Sequence, residues 1–284
     1  MTDRNMKILA TSDTHWGEYE DADRATLDLA DHVAASDADV FALVGDVAGT
    51  ELDDFEACLR AFSGFSGVKL VVPGNHDLWT NGEDSFTRYT EELPRLAEEC
   101  GFHMLDQGPV VTDGTAFVGS MGWYDYSFRD PSLDMTTEDY RQKTVPGGMT
   151  WNDVRFVHWD MTDEDVTEMC VERLEQHYRE VQGRADRVVA IIHHVPFEDL
   201  LYDETDEPAW QFCRAYLGAR RLGQTIEQWS ELCAVISGHR HKWATCRRDG
   251  LRAFVVGSGS DAKRMLQLDP VTGEYDTLEF PAHI

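Results

Sequence analysis

The stretch Val-Val-Pro-Gly-Asn-His-Asp, residues 71–77, joins an apolar run to three consecutive polar side chains. Short apolar runs that end in Pro-Gly are typical of buried strands that break into a loop. In a sheet flanked by helices, functional sites lie at the loops that follow the carboxyl ends of strands. Asn75 supplies an amide oxygen, His76 a titratable ring, and Asp77 a carboxylate that can hold that ring. The stretch therefore predicts either a polar turn or one part of an active site, and the other strand ends distinguish the two.

Two earlier apolar runs end in the same kind of polar loop. Residues 7–12 lead to Asp13-Thr14-His15, and residues 40–44 lead to Gly45-Asp46. Since residues two apart in an extended segment point the same way, Asp13 and His15 are expected to converge on one point. Helical patterns separate the three runs, and this alternation predicts parallel strands with right-handed crossovers. The carboxyl ends of such strands share one edge of the sheet.

Two later apolar runs end in histidines. Residues 188–192 lead to His193-His194, and residues 234–237 lead to Gly-His-Arg-His at 238–241. Adjacent strand residues point to opposite faces, so only one of His193 and His194 is expected to face the site. The two histidines of the second motif are two residues apart and can reach one cluster together.

The polar residues at the strand ends form a set of oxygen and nitrogen ligands without cysteine. Such a set favours Mn, Fe, Zn or Co over a soft metal. Two carboxylates, one amide and four imidazoles exceed the needs of one tetrahedral site and suit two ions that share a bridging carboxylate. Two ions about 3.5–4 Å apart can clamp the attacking and leaving oxygens of a phosphoryl transfer. The candidate ligands are Asp13, His15, Asp46, Asn75, one of His193 and His194, His239 and His241.

The order of the motifs D-x-H, G-D, G-N-H-D, H-H-x-P and G-H-x-H resembles the calcineurin-like metallophosphoesterase superfamily, from Asp13 to His241. The resemblance implies an α/β fold, a four-layer α/β/β/α sandwich with the metal site at the carboxyl ends of its strands, as one domain over 1–284. It also implies a metal-dependent phosphatase or phosphodiesterase in which a hydroxide between two ions attacks phosphorus in line.

The resemblance also implies a role for each site residue. One ion would take Asp13, His15, Asp46 and His241, and the other would take Asp46, Asn75, His193 and His239. Asp46 would bridge the ions, and the strand end favours His193 over His194 as the ligand. His76 would not bind metal but would protonate the leaving oxygen as general acid, held by Asp77.

Two departures from the family pattern bear on the substrate. The motifs G-D-x-V-D-R-G and G-N-H-E of the Ser/Thr protein phosphatase branch are missing, which disfavours protein phosphatase activity of that kind. Many bacterial members carry another acid shortly after G-D, where this chain has Gly49. Monoesterase, diesterase and nuclease activity remain open. A noncatalytic binding scaffold on the same fold is the alternative from another class, and the complete ligand set disfavours it.

Residues 122–160 differ from the rest of the chain in their many aromatic side chains. We expect this segment to be an insertion that covers the site. Trp123 and Tyr124 are candidates for stacking on a nucleotide base. Arg129 and Arg141 are candidates for contacts to a substrate phosphate, with salt bridges to nearby carboxylates as the alternative.

The chain has 25 Lys and Arg residues against 53 Asp and Glu residues, a formal net charge of -28. This charge disfavours binding to long nucleic acids and anionic membranes, so a small phosphoester is the expected partner, with protein partners left open. The acidic composition also fits a saline cytoplasm. The six cysteines include no C-x-x-C pair, which favours free thiols over disulfides. No apolar stretch has the length of a signal peptide or a membrane span, and we expect a cytoplasmic protein.

Overall fold

The computed structural model describes residues 6–145, 148–201 and 208–282. Within this part of the chain, twelve strands form two six-stranded sheets. The strands are β1 (Ile8–Thr11), β2 (Val40–Val44), β3 (Val68–Val72), β4 (His103–Met104), β5 (Val110–Thr112), β6 (Thr115–Ser120), β7 (Arg187–Ile192), β8 (Leu232–Ser237), β9 (Ala244–Arg248), β10 (Leu251–Val255), β11 (Ala262–Leu268) and β12 (Tyr275–Pro281). The strand orders are β12-β11-β1-β2-β3-β4 and β5-β6-β7-β8-β10-β9.

The helices lie mainly in the connections between parallel strands. They are α1 (Glu20–Ala35), α2 (Leu52–Ala61), α3 (Ser85–Thr87), α4 (Leu93–Glu99), α5 (Thr137–Arg141), α6 (Asp153–Phe156), α7 (Asp163–Val181), α8 (Pro208–Cys213) and α9 (Arg220–Ile226). A π-helical turn, Arg88–Glu92, joins α3 to α4. The longest helix, α7, begins where the Thr162 side chain accepts a hydrogen bond from the backbone N–H of Asp165, which satisfies one otherwise unpaired donor of the first turn.

The four strands β1 to β4 are parallel, as are β6, β7, β8 and β10, and antiparallel strands complete each sheet. Strand β2 shows how the layers are packed. Val40, Ala42 and Val44 lie in the core between the sheets, whereas Phe41 and Leu43 belong to the core that includes the buried faces of α1 and α2. A strand covered on both faces is apolar without alternation. The predicted α/β sandwich is therefore confirmed.

Further predictions from the sequence concern the cysteines, membrane spans, the aromatic segment and the domain assignment. All six cysteines are free thiols, as expected. Among the described helices, none combines the length and the apolar character that a membrane span requires. The segment 122–160 connects β6 to α7, and its residues 146–147 lie outside the described residues, as do residues 1–5 at the N-terminus. The assignment of 1–284 to one domain stays a prediction.

Candidate metal centre

Five of the candidate ligands have a left-handed backbone conformation. Their φ angles are 54° for Asp13, 45° for His15, 50° for Asp46, 69° for His239 and 56° for His241. Non-glycine residues rarely adopt this region, and those that do are concentrated at functional sites, where the surrounding structure imposes the strain. Asp13 and His15 do converge, but not as neighbours on an extended strand, because β1 has already ended at Thr11. The predicted extended geometry is therefore wrong, and the two side chains converge through left-handed turns.

Two glycines allow these loops to approach one another. A Cβ atom at Gly45 would overlap Nδ1 of His193, and a Cβ atom at Gly74 would overlap Oδ1 of Asp46. Only glycine permits so close an approach of backbone and side chain. The Gly-Asp after β2 and the Pro-Gly after β3 thus have a packing role in addition to breaking the strands.

The first group of candidate ligands contains Asp13, His15, Asp46 and His241. Each offers one ligand atom, and these four atoms lie within 4.8 Å of one another. Nε2 of His241 lies 3.0 Å from Nε2 of His15 and 3.5 Å from Oδ1 of Asp13. Nε2 of His15 lies 3.9 Å from Oδ2 of Asp46. The geometry makes these two carboxylates and two imidazoles a candidate site for one cation.

The second group contains Asp46, His193 and His239, whose ligand atoms also lie within 4.8 Å of one another. Nε2 of His193 lies 3.4 Å from Oδ1 of Asp46 and 3.2 Å from Nδ1 of His239. Asp46 therefore belongs to both groups, with Oδ2 near the first and Oδ1 near the second. This arrangement matches a carboxylate shared by two ions.

The two adjacent histidines after β7 have different surroundings. Nδ1 of His193 donates to the carbonyl of Val44 at 2.8 Å, which leaves Nε2 near Asp46. Nδ1 of His194 contacts the carbonyl of Met121 instead, at 3.0 Å. Burial lowers the pKa of His193, but Asp46 outweighs burial and raises it to about 9. Burial, with His193 nearby, lowers the pKa of His194 to about 3. The structure thus places His193, and not His194, in the second group.

The side chain of Asn75 has one bonded end and one free end. Its Nδ2 donates to Oδ1 of Asp153 at 2.8 Å. Its Oδ1 is buried and has no hydrogen-bond partner among the described residues, and the same holds for Oδ2 of Asp46. Buried oxygens without a partner are costly, and hard cations bind such atoms. The residues therefore fit a pair of ions held by oxygen and imidazole ligands.

Asp153 is a candidate site residue that the sequence did not indicate. Its carboxylate accepts hydrogen bonds from Asn75 Nδ2, Trp79 Nε1, Tyr124 Oη and Trp151 Nε1, at 2.8, 2.8, 2.9 and 2.7 Å. Residue 153 follows no strand and belongs to no metal motif. An acidic residue among aromatic residues with N–H and O–H donors was the only signal in the sequence.

Asp77 does not hold His76, contrary to the expectation from the sequence. Its carboxylate accepts from the backbone N–H groups of Val47, Ala48 and Gly74, at 3.2, 2.9 and 2.7 Å. It therefore joins the loop after β2 to the loop after β3. Burial raises the pKa of Asp77 to about 6 in spite of these donors.

His76 lies beside a cavity of about 450 Å³ at the first group of ligands. Its ring stacks on Trp79, with centroids 3.6 Å apart and planes at 24°. Its backbone N–H donates to Oδ1 of Asp46 at 2.9 Å, and its Nδ1 lies 3.3 Å from Oε1 of Glu18. Residues that line the cavity include His15, Tyr19, His76, Trp79, His241 and Lys263.

Comparison with known proteins identifies the family. The family model described as calcineurin-like phosphoesterase matches residues 6–243. The chain belongs to the calcineurin-like phosphoesterase family. The predicted superfamily is confirmed, and the protein is a metal-dependent phosphoesterase.

Solved structures agree with this family assignment. Phosphopantetheinyl hydrolase from Mycobacterium tuberculosis matches with a TM-score of 0.73 at 19% identity, over 89% of each chain. A dimetal phosphatase from Danio rerio matches with a TM-score of 0.58 at 14% identity, over 99% of this chain and 100% of the other. At these identities the likeness concerns the fold alone. A comparison with curated proteins returns no match.

The four substrate residues predicted for this calcineurin-like phosphoesterase have other partners. Trp123 and Tyr124 are fully buried and present no face to a substrate. Trp123 donates through Nε1 to Asp163, and Tyr124 donates to Asp153. Both belong to the packed core beneath the site, so the prediction of base stacking on these residues is wrong.

The two arginines are exposed and engaged elsewhere. Arg141 pairs with Glu138 and Glu164, at 3.0 and 2.7 Å, which is the salt-bridge alternative left open by the sequence. Arg129 donates to the carbonyl of Tyr126 at 3.4 Å. Neither residue lines the cavity beside His76.

Proposed function

We propose that this calcineurin-like phosphoesterase hydrolyses a small phosphoester, with Asp46 as the ligand shared by two ions and His76 as general acid. The observation that carries the proposal is that Asp46 belongs to both ligand groups. The first of these groups includes His15 and His241, which line the same cavity as His76. Two ions at this place supply charge stabilisation at the phosphoryl oxygens and lower the pKa of the attacking water toward neutrality.

The residues of the chain divide this work. Asp13, His15 and His241 would hold the first ion with Asp46, and Asn75, His193 and His239 would hold the second with Asp46. The set contains oxygen and imidazole donors without thiolate, which supports Mn, Fe or Zn as the metals.

His76 is suited to donate a proton to the leaving oxygen. It borders the cavity and its backbone N–H contacts Asp46. It belongs to neither ligand group that contains Asp46, although its ring lies in a third cluster with His15 and Glu18. Burial lowers the pKa of His76, but Asp46 and Glu18 outweigh burial and raise it above its ordinary value. A raised pKa favours the protonated form of the ring, which is the form that a general acid requires.

The cavity and the charge support a small substrate. A volume of about 450 Å³ is in the range of small-molecule pockets. Trp79 and Tyr19 give it aromatic surface, and the net charge of -28 opposes the approach of long nucleic acids or anionic membranes. A panel of phosphomonoesters, cyclic nucleotides, dinucleotides and a phosphopantetheinyl ester, assayed with Mn²⁺, identifies the preferred class.

Replacement of the shared ligand tests the proposal. We expect Asp46→Ala to abolish hydrolysis of bis-(p-nitrophenyl) phosphate by the Mn²⁺-loaded protein, because both ions lose a ligand. Asp53→Ala, which removes an exposed carboxylate from the first turn of α2, is the matched control and should keep full activity. Full activity of Asp46→Ala would overturn the proposal.

A further inference from the structure

We propose that Glu18 is the carboxylate that orients His76 for proton donation, an inference that rests on the proposed function. Oε1 of Glu18 lies 3.3 Å from Nδ1 of His76. The neighbouring acid, Asp77, accepts from three backbone N–H groups and does not contact this ring nitrogen. Glu18 lies in the loop between β1 and α1, three residues after the D-x-H motif, and belongs to none of the family motifs.

The ring of His76 is held on three sides. Trp79 stacks on its face, with centroids 3.6 Å apart, and His15 meets it edge-on, with centroids 4.5 Å apart and planes at 73°. Glu18 accepts from Nδ1. A hydrogen bond from Nδ1–H to a carboxylate selects the tautomer and leaves Nε2 as the nitrogen that transfers a proton to the leaving oxygen.

Glu18 also lies near a second imidazole, and the geometry distinguishes the two. Oε1 of Glu18 is 3.5 Å from Nδ1 of His15, but Nδ1 of His15 has no hydrogen-bond partner among the described residues. The contact to His76 is the shorter of the two and has hydrogen-bond geometry, although the ligand atoms of His15, Glu18 and His76 all lie within 4.8 Å of one another. We expect loss of Glu18 to affect proton donation and to leave metal binding through His15 intact.

Gly49 is a second position at which a carboxylate side chain could be introduced close to the place of the Glu18 carboxylate. A Cβ atom at Gly49 would lie 3.5 Å from Oε1 of Glu18, an ordinary contact, and would meet no other atom within 4 Å. Gly49 is not among the glycines with positive φ, so its backbone accepts a side chain. The double variant Glu18→Ala/Gly49→Asp therefore moves the carboxylate from one loop to the other.

The leaving-group dependence of hydrolysis tests the proposal. With an alkyl phosphoester, whose leaving oxygen needs a proton, we expect Glu18→Ala to lower kcat about 10–100-fold, the usual effect of losing a residue that orients an imidazole. With a p-nitrophenyl ester, which leaves without a proton, the loss should be several-fold smaller. Glu18→Gln should retain part of the activity, because its amide oxygen still accepts from Nδ1–H.

Glu20→Ala is the matched control. It removes a carboxylate two residues away that pairs with Arg24 on the surface, and it should behave like the wild type with both esters. The double variant Glu18→Ala/Gly49→Asp should recover alkyl ester hydrolysis relative to Glu18→Ala. Equal losses with both esters, or no recovery in the double variant, would overturn the proposal.

Two measurements are independent of turnover. Glu18→Ala should bind as many Mn²⁺ ions per chain as the wild type, and a lost ion would show that Glu18 acts on the ligand His15. In the Zn²⁺-loaded protein, a downfield imidazole N–H proton resonance, assigned by its loss in His76→Gln, should disappear in Glu18→Ala. Its persistence would contradict the proposal.

The wild type distinguishes failure of the proposed function from failure of the role of Glu18. If the wild type hydrolyses no phosphoester, the proposed function fails. If the wild type turns over normally and Glu18→Ala is unaffected, only the role of Glu18 is refuted.

Discussion

The side-chain amide of Asn75 donates to the carboxylate of Asp153 at 2.8 Å, and this hydrogen bond fixes which end of the amide is free. The other end of this amide, the oxygen of Asn75, consequently has no hydrogen-bond partner among the described residues. Asp153 lies in the aromatic segment between β6 and α7, and it also binds Trp79, on which His76 stacks. One buried carboxylate thus supports both a candidate metal ligand and the candidate general acid.

We predict that Asp153→Asn weakens binding of one of the two ions about 10–100-fold. The carboxylate accepts two hydrogen bonds at each oxygen, whereas an asparagine side chain accepts at one end only, so the network that orients the amide of Asn75 cannot stay intact. Calorimetric titration of the metal-free protein with Mn²⁺ measures the change. Asp163→Asn is the matched control, since Asp163 is also buried and accepts from Trp123 and Lys143. It should destabilise the fold but leave Mn²⁺ affinity unchanged. Equal effects of the two substitutions on affinity would contradict the role of Asp153.

We predict that His76→Ala keeps both ions but loses most turnover on esters with poor leaving groups, by about 10²–10⁴-fold. The reason is that His76 borders the cavity but is absent from the two ligand groups that share Asp46. Metal content and kcat are measured on the same preparation. A variant that loses an ion would show that His76 is a ligand rather than the acid.

We predict that Trp123→Phe lowers stability without changing substrate preference. Trp123 is fully buried and donates to Asp163, so the substitution leaves a buried acceptor with one donor fewer, at a cost of about 1–3 kcal/mol. Thermal unfolding measures the loss, and KM for the preferred ester should stay constant. Trp79→Phe, which alters the cavity wall, should change KM instead. An altered KM in Trp123→Phe would contradict the assignment of Trp123 to the core and support substrate stacking on this residue.

We predict that the melting temperature rises between low salt and molar KCl. With 53 acidic and 25 basic residues, the negative charges of the folded chain repel one another and destabilise the folded state. Salt screens this repulsion. Scanning calorimetry across a KCl series measures the change. A melting temperature that is constant or falls with salt would contradict the interpretation of the acidic composition as an adaptation to a saline cytoplasm.

The strand ends could be predicted from the sequence because parallel strands bring their carboxyl ends to one edge of the sheet. Asp46 after β2 and Asn75 after β3 lie where this rule places them. The partner of His76 could not be predicted, because it depends on the path of the loop after β1, which brings Glu18 to the ring. Asp77 is adjacent in sequence but turns to the backbone of two loops.

The aromatic segment between β6 and α7 could not be interpreted from the sequence for a different reason. A cluster of Trp and Tyr residues has the same sequence signature whether it faces a substrate or fills a core, and Trp123 and Tyr124 are in the core. The role of Asp153 depends on contacts with residues up to 78 positions away, which no local pattern records.

The most direct test of the two-ion account is a titration of bis-(p-nitrophenyl) phosphate hydrolysis against equivalents of Mn²⁺ added to the metal-free protein, with bound metal measured at each point. We predict no turnover without metal and a rise in activity that ends when two ions are bound per chain. Turnover by the metal-free protein, or full activity with one bound ion, would contradict the account.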